Sequence, residues 1–164
     1  MMPHGTYENS ASAKTDTARV ILYAEDDIDD RFYFERACRT LFKDFVFRYV
    51  NDGEEARDYL LARGYYRDTI AFPRPDAVIT DLRMPRLNGL EFLRWARTQP
   101  AFEQLPIFVF SSLHGLADVQ EMQRYAMTGF FKKPRDSRSW VSVVQQMVAV
   151  IRVHLDDRTH QRAA

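Results

Sequence analysis

The chain of 164 residues is 46% hydrophobic, which is enough for one globular core and leaves little room for a second typical domain. Lys plus Arg and Asp plus Glu both number 23, so a formally neutral chain presents no net field to draw nucleic acid or an anionic membrane. Cys38 stands alone, which excludes an intrachain disulfide and fits a reducing cytoplasm, and no apolar run approaches the roughly 20 residues that span a bilayer.

Residues 1–17 are polar, without the basic start and apolar stretch of a secretory signal, and read as a disordered arm. Arg19-Val-Ile-Leu-Tyr-Ala24 is an apolar run that stops at acids, the mark of a buried strand. Ile28 to Leu41 follows as a helix, with Phe34, Cys38 and Leu41 at helical spacing. Phe45 to Val50 is rich in strand formers, Asn51-Asp52-Gly53 signals a turn or cap, and Glu54 to Arg63 forms a helix ending near Gly64. Tyr65 to Pro75 lacks a period and reads as an extended loop. Asp76 to Thr80 is a third strand, closed by Asp81, and Leu90 to Thr98 is a helix after the loop Pro85–Gly89. Pro106 to Phe110 is a strand ending at Ser111-Ser112, Leu116 to Met127 a helix, and Gly129 to Lys132 a strand before Lys133-Pro134. A last helix runs from about Ser139 to His154, with Val141, Val144, Val148 and Ile151 on one face, and residues 156–164 read as a polar tail.

Strands alternating with helices predict a three-layer α/β domain over residues 18–155, with a parallel sheet covered on both faces. In such sheets a ligand sits outside the carboxyl ends of the strands. There the sequence places Glu25, Asp26 and Asp27, then Asp81, then Ser111, then Lys133. Each has an ordinary alternative: the acids suit a first helical turn, Asp81 a cap, the serines caps, and Lys133 a surface position. Together, crowded acids call for a cation, and hard oxygen donors suit Mg²⁺. A lysine and a hydroxyl beside them suit the oxygens of a phosphoryl group, whose transfer needs mainly positioning and charge neutralisation.

On these residues the sequence resembles the receiver domain of two-component response regulators. The resemblance rests on the acidic pair after the first strand, the stretch Asp81-Leu-Arg-Met-Pro-Arg-Leu-Asn-Gly89, the hydroxyl after the fourth strand and Lys133-Pro134 after the fifth. It covers about Arg19 to His154 and implies the flavodoxin-like strand order 2-1-3-4-5, for which a chemotaxis receiver is a standing example. It implies that Asp81 is the phosphoacceptor, that Glu25, Asp26, Asp81 and the backbone carbonyl of Arg83 hold Mg²⁺, and that Ser111 turns toward the phosphoryl group on activation. Lys133 would pair with the phosphoryl oxygens, and Pro134, often cis in the family, would shape that loop. The long Gly64 to Pro75 connection and the Glu25-Asp26 start resemble small single-domain regulators that partner bacterial phytochromes and other sensor histidine kinases.

Phe130 takes the place of the family's switch aromatic, often tyrosine, so that output would rest more on packing; a plain strand-core role is the alternative. Arg83 and Leu113 offer no group to orient a hydrolytic water, and the expectation is slow loss of the phosphoryl group. Arg83 stands where an aspartyl-nucleophile phosphatase needs a second acid, and Glu25-Asp26-Asp27 would repel the phosphate of a flavin mononucleotide. The remaining alternative is a receiver-like scaffold that signals without phosphorylation. The expected function is a cytoplasmic module, not an enzyme beyond its own phosphorylation and dephosphorylation. It would be loaded by a histidine kinase or phosphotransfer protein and act through protein contacts, a homodimer being one possible form, with no direct contact to nucleic acid or membrane.

Overall fold

Every apolar run singled out above becomes a strand in the computed structural model, which describes residues 18–39, 42–112 and 115–163. The strands are β1 (Arg19–Ala24), β2 (Phe45–Val50), β3 (Ala77–Thr80), β4 (Ile107–Ser111) and β5 (Gly129–Lys132). The α-helices are α1 (Ile28–Cys38), α2 (Gly53–Leu60), α3 (Gly89–Thr98), α4 (Leu116–Arg124) and α5 (Trp140–Ala163). The strands pair in parallel in the order β2-β1-β3-β4-β5, the flavodoxin-like order.

Side chains alternate across each strand, so every strand feeds two cores. On one face Ile21, Tyr23, Ile79, Phe108 and Phe110 pack with Phe34 of α1 and with Trp140, Val144, Met147, Val148 and Ile151 of α5. On the other, Leu22, Ala24, Val78, Ile107 and Val109 pack with Ala56 and Tyr59 of α2, Phe92 and Leu93 of α3 and Met122 of α4. Burying both faces is what turns a parallel sheet into a three-layer domain.

The helix starts are chemically marked. Asp27 caps α1 by accepting from the amides of Asp29 and Asp30 at 2.9 and 3.1 Å. Asp52 caps α2, and Asn88 forms a reciprocal capping box with Glu91 at the start of α3. Such caps contribute about 1 kcal/mol each. Because all three follow strands, they also fix the turns at the carboxyl edge of the sheet.

Two helices end earlier than the sequence reading, α2 at Leu60 and α4 at Arg124, and three further segments of the fold depart from it. The 64–75 connection is not extended: Gly64–Arg67 forms a turn of 3-10 helix, because Tyr66 packs on Tyr59 and Phe72 with ring centroids 5.1 and 5.2 Å apart. The first helix ends at Cys38, while Leu41 and Leu113 lie outside the described residues, as do residues 1–17. Residues 156–163 are not a frayed tail but continue α5. Leu155 is still buried there, Asp156 pairs with Arg19 of β1, and the Arg158 guanidinium donates to the Gln104 carbonyl, so this polar stretch is held by the strand and loop beneath it. Among the described residues no helix is long and apolar enough to cross a membrane.

Candidate functional site

The carboxyl edge of the sheet collects the predicted residues. Glu25 follows β1 and is fully buried, Asp81 follows β3 and is nearly so, Ser111 ends β4, and Lys133 follows β5 at 3% exposure. One carboxylate oxygen from each of Glu25, Asp26 and Asp81 lies within 4.8 Å of the others. Oxygens bound to a single Mg²⁺ at about 2.0–2.1 Å lie at most about 4.2 Å apart, so small side-chain movements would close this set on such an ion. The donors are all hard oxygens, and the set therefore fits a Mg²⁺-like divalent cation.

Lys133 supplies the countercharge. Its ammonium nitrogen forms an ion pair with Glu25 Oε2, lies 2.8 Å from Asp30 Oδ2 and 3.4 Å from Asp81 Oδ2. Burial alone would lower the lysine's proton affinity, but Glu25 and Asp81 outweigh it and hold the ammonium above its usual value. Glu25 shows the opposite balance: burial pushes its carboxyl up to about 7, Lys133 pulls against that, and Asp81 adds to it. The Tyr23 hydroxyl donates to Glu25 Oε2 at 2.8 Å. Burial, and after it the charge of Glu25, hold that phenol well above the usual tyrosine range. Asp81 Oδ1 accepts from the amide of Leu82 at 2.7 Å.

The Ser111 hydroxyl is buried and has no hydrogen-bond partner among the described residues. An unpartnered buried hydroxyl costs about 1–3 kcal/mol, a cost that an incoming oxygen acceptor would remove. The backbone at this point is fixed, because the Lys133 amide donates to the Ser111 carbonyl at 3.0 Å. The Lys133–Pro134 peptide is trans, unlike the cis bond the resemblance allowed, and no cis peptide occurs among the described residues. The two forms of an X–Pro bond differ by only about 0.5–1 kcal/mol, so local packing decides.

An open cleft of about 570 Å³ gives access, walled by Asp26, Arg83, Pro85, Asn88 and Asp118 among others. Arg83 is exposed in that wall. Phe130 is half-buried on β5 opposite Val109, packed against the core under α3 and α4. At the other edge of the sheet a cleft of about 470 Å³ contains Arg19, Arg74 and Arg158. Each of those guanidiniums already has a protein partner, in Asp156, the Ala101 carbonyl and the Gln104 carbonyl, so that cleft is poorly suited to an anion.

Two residues beyond the predicted set take part. Asp30 reaches Lys133 because the first turn of α1 brings it back over the sheet edge; its signal was the acid run 25–30, which does not say which member turns inward. Gly89 packs on the acceptor's own backbone: a Cβ there would lie 2.1 Å from the Asp81 carbonyl oxygen.

A five-stranded parallel sheet in this order, with an acid cluster, a buried lysine and a hydroxyl at one edge, defines a receiver. The response regulator receiver domain family matches residues 21–145, and the chain belongs to that family, in two-component signal transduction. It is 25% identical over 134 residues to the response regulator Rcp1 of Synechocystis sp., covering 82% of this chain and 89% of Rcp1. The structure of Mn²⁺-bound Rcp1 superposes with a TM-score of 0.72 at 26% identity, over 79% of this chain and 91% of that one. The response regulator RPA3017 of R. palustris, described in red light signaling, gives 0.72 at 25% identity, over 79% and 90%. The bacteriophytochrome response regulator RtBRR gives 0.61 at 26%, over 77% and 76%.

Proposed function

We propose that this receiver takes a phosphoryl group onto Asp81 from a sensor histidine kinase or a phosphotransfer protein. The observation that carries this reading is the convergence of Glu25, Asp26 and Asp81 within 4.8 Å, with the Lys133 ammonium 3.4 Å from Asp81. An Asp81 carboxylate oxygen attacks phosphorus, the bond from phosphorus to the donor's imidazole nitrogen breaks, and the imidazole leaves and is protonated by solvent. The Lys133 ammonium balances charge on the phosphoryl oxygens, and the Ser111 hydroxyl donates to one of them. Mg²⁺, held by Asp26, Asp81, the Arg83 carbonyl and, partly through water, Glu25, would neutralise charge on the phosphoryl oxygens. The Mn²⁺-bound form of Rcp1 supports a divalent ion as a ligand of this receiver.

The protein promotes no chemistry beyond its own phosphorylation and dephosphorylation. Modification of Asp81 shifts a two-state equilibrium through Ser111 and the segment around Phe130 and alters the face of α4, β5 and α5. Output follows through protein contacts in the cytoplasm, including a homodimer through that face. The likeness to RPA3017 and to a bacteriophytochrome regulator supports a photoreceptor kinase as the donor.

The test is incubation with phosphoramidate or acetyl phosphate and Mg²⁺, followed by rapid intact-mass measurement beside Asp81→Asn. The expected result is one phosphoryl adduct that needs Mg²⁺ and is missing from Asp81→Asn. No adduct, together with no binding of beryllofluoride, would overturn this reading in favour of a phosphorylation-independent scaffold.

A further inference from the structure

The two loops that carry the acid cluster do not touch the sheet edge independently: both are fastened to the turn between β2 and α2. On the β1 side, the Glu25 amide donates to the Val50 carbonyl at 3.0 Å. Arg31 then bridges the same pair of elements, with Nε on the Glu25 carbonyl at 2.7 Å and a terminal nitrogen on the Val50 carbonyl at 2.6 Å and on Asn51 Oδ1 at 2.9 Å. On the β3 side, the Gly53 amide donates to the Leu87 carbonyl at 3.0 Å. The Arg86 guanidinium forms an ion pair with Asp52, whose side chain is fully buried.

Asp52 performs two tasks. Its Oδ1 caps α2 through the amides of Glu54 and Glu55, and its Oδ2 receives Arg86. Arg86 is held at a φ of +63°, a left-handed conformation that non-glycine residues rarely take. It lies in the loop that leads from Asp81 through Arg83 to α3. Leu82 and Met84 of that loop are anchored by burial, but Arg83, Pro85 and Arg86 are exposed. The apolar anchors therefore leave the stretch that walls the cleft to be fixed from outside: the Gly53 amide holds Leu87, and the Arg86 guanidinium reaches Asp52, with more distant approaches to Glu55 at 3.4 Å and Glu54 at 3.8 Å. A turn that is rigidly joined to Glu25 on one side and to the Asp81 loop on the other sets the spacing between the two halves of the cluster.

We infer that Asp52 and Arg86 are positioning residues for the cation site: their ion pair holds the loop after Asp81 at the distance from Glu25 and Asp26 that a divalent cation requires. The inference rests on the proposed function, since it concerns the same site. Neither side chain touches the cation or the reacting atoms. Groups that orient ligands from behind commonly change metal affinity by about 10- to 100-fold when removed.

The variants separate positioning from folding. Asp52→Asn keeps the helix cap, because Asn caps as well as Asp, and removes the charge. Arg86→Asn keeps a residue that tolerates the left-handed conformation and removes the guanidinium. Arg86→Lys keeps the charge. Mg²⁺ affinity is measured by isothermal titration calorimetry on the full chain, and amide hydrogen exchange of residues 82–88 is measured without metal. The expected result is about tenfold weaker Mg²⁺ binding in Asp52→Asn and in Arg86→Asn, with faster exchange in 82–88. The double variant should bind no more weakly than the weaker single, as two residues acting as one unit require. Arg86→Lys should recover most of the affinity. Wild-type protein that binds Mg²⁺ beside single variants within about twofold of it would overturn this inference alone, against the expected change. Wild-type protein that binds no Mg²⁺ would overturn the reading of the site as well.

Discussion

Gly89 illustrates how closely the acceptor is held. A Cβ there would meet the Asp81 carbonyl oxygen at 2.1 Å and the Leu82 Cα at 3.1 Å, and these neighbours are backbone that has no room to yield. Gly115 provides the contrast, because among the described residues a Cβ there would meet only the Asp118 carboxylate, its nearer oxygen at 3.3 Å, the far end of a movable side chain. Gly89→Ala should therefore cost about 3 kcal/mol, the upper range for overpacking, and should also slow adduct formation by displacing Asp81. Gly115→Ala should cost less than about 1 kcal/mol, mostly from the poorer helix cap. Urea unfolding of both variants, paired with the phosphoramidate assay, checks this. Equal losses in the two would show that close approach at Asp81 is not the cause.

At the level of elements, what could be read from the sequence was what ends abruptly. β1, β3, β4 and β5 are short apolar runs, each closed by a polar group, so Glu25, Asp81, Ser111 and Lys133 could be assigned to one sheet edge before any coordinates. The strand order came from the resemblance to receivers, because short buried strands carry no periodicity that names their neighbours. Contacts between distant turns were not legible either. Nothing in Asn51-Asp52-Gly53 announces that Asp52 will meet Arg86, and nothing in the acid run shows that Asp30 will reach Lys133. The end of α5 is not legible for a related reason: residues 156–163 are polar, and polarity describes both a frayed tail and a helix held by surface bonds. Removing residues from Asp156 onward should test which matters. It deletes the Arg19–Asp156 ion pair and the Arg158 bond to Gln104 and exposes Leu155. The expected loss is about 1–3 kcal/mol, the range of ordinary single lesions, seen as a lower urea midpoint with little change in slope. An unchanged midpoint would mean that the last turns of α5 contribute nothing to the domain.

For the molecule as a whole, the site is a place where folding and ligand binding oppose and then support each other. Folding brings Glu25, Asp30 and Asp81 around one lysine and Asp26 beside Glu25 and Asp81, so the metal-free site carries an excess of negative charge. That excess opposes the folded state through like-charge repulsion, and burial adds to it: burial above all pushes the Glu25 carboxyl up to about 7, with Lys133 pulling against it and Asp81 adding a smaller push. A divalent cation that binds only the folded arrangement reverses the balance. By mass action, a ligand at one hundred times its dissociation constant stabilises the native state by about 2.7 kcal/mol. For a domain of this size 1 kcal/mol corresponds to about 2–4 °C in melting temperature, so saturating Mg²⁺ should raise the midpoint by about 5–10 °C. The rise should grow with the logarithm of Mg²⁺ concentration above the dissociation constant and should be largely absent in Asp26→Asn/Asp81→Asn, whose own metal-free midpoint should lie at or above that of the wild type because repulsion has been removed. Differential scanning calorimetry across a Mg²⁺ series, with ionic strength held constant by a monovalent salt, separates specific binding from screening. A midpoint that follows ionic strength alone, equally in both proteins, would mean that the acid cluster acts as a diffuse surface charge and not as a cation site.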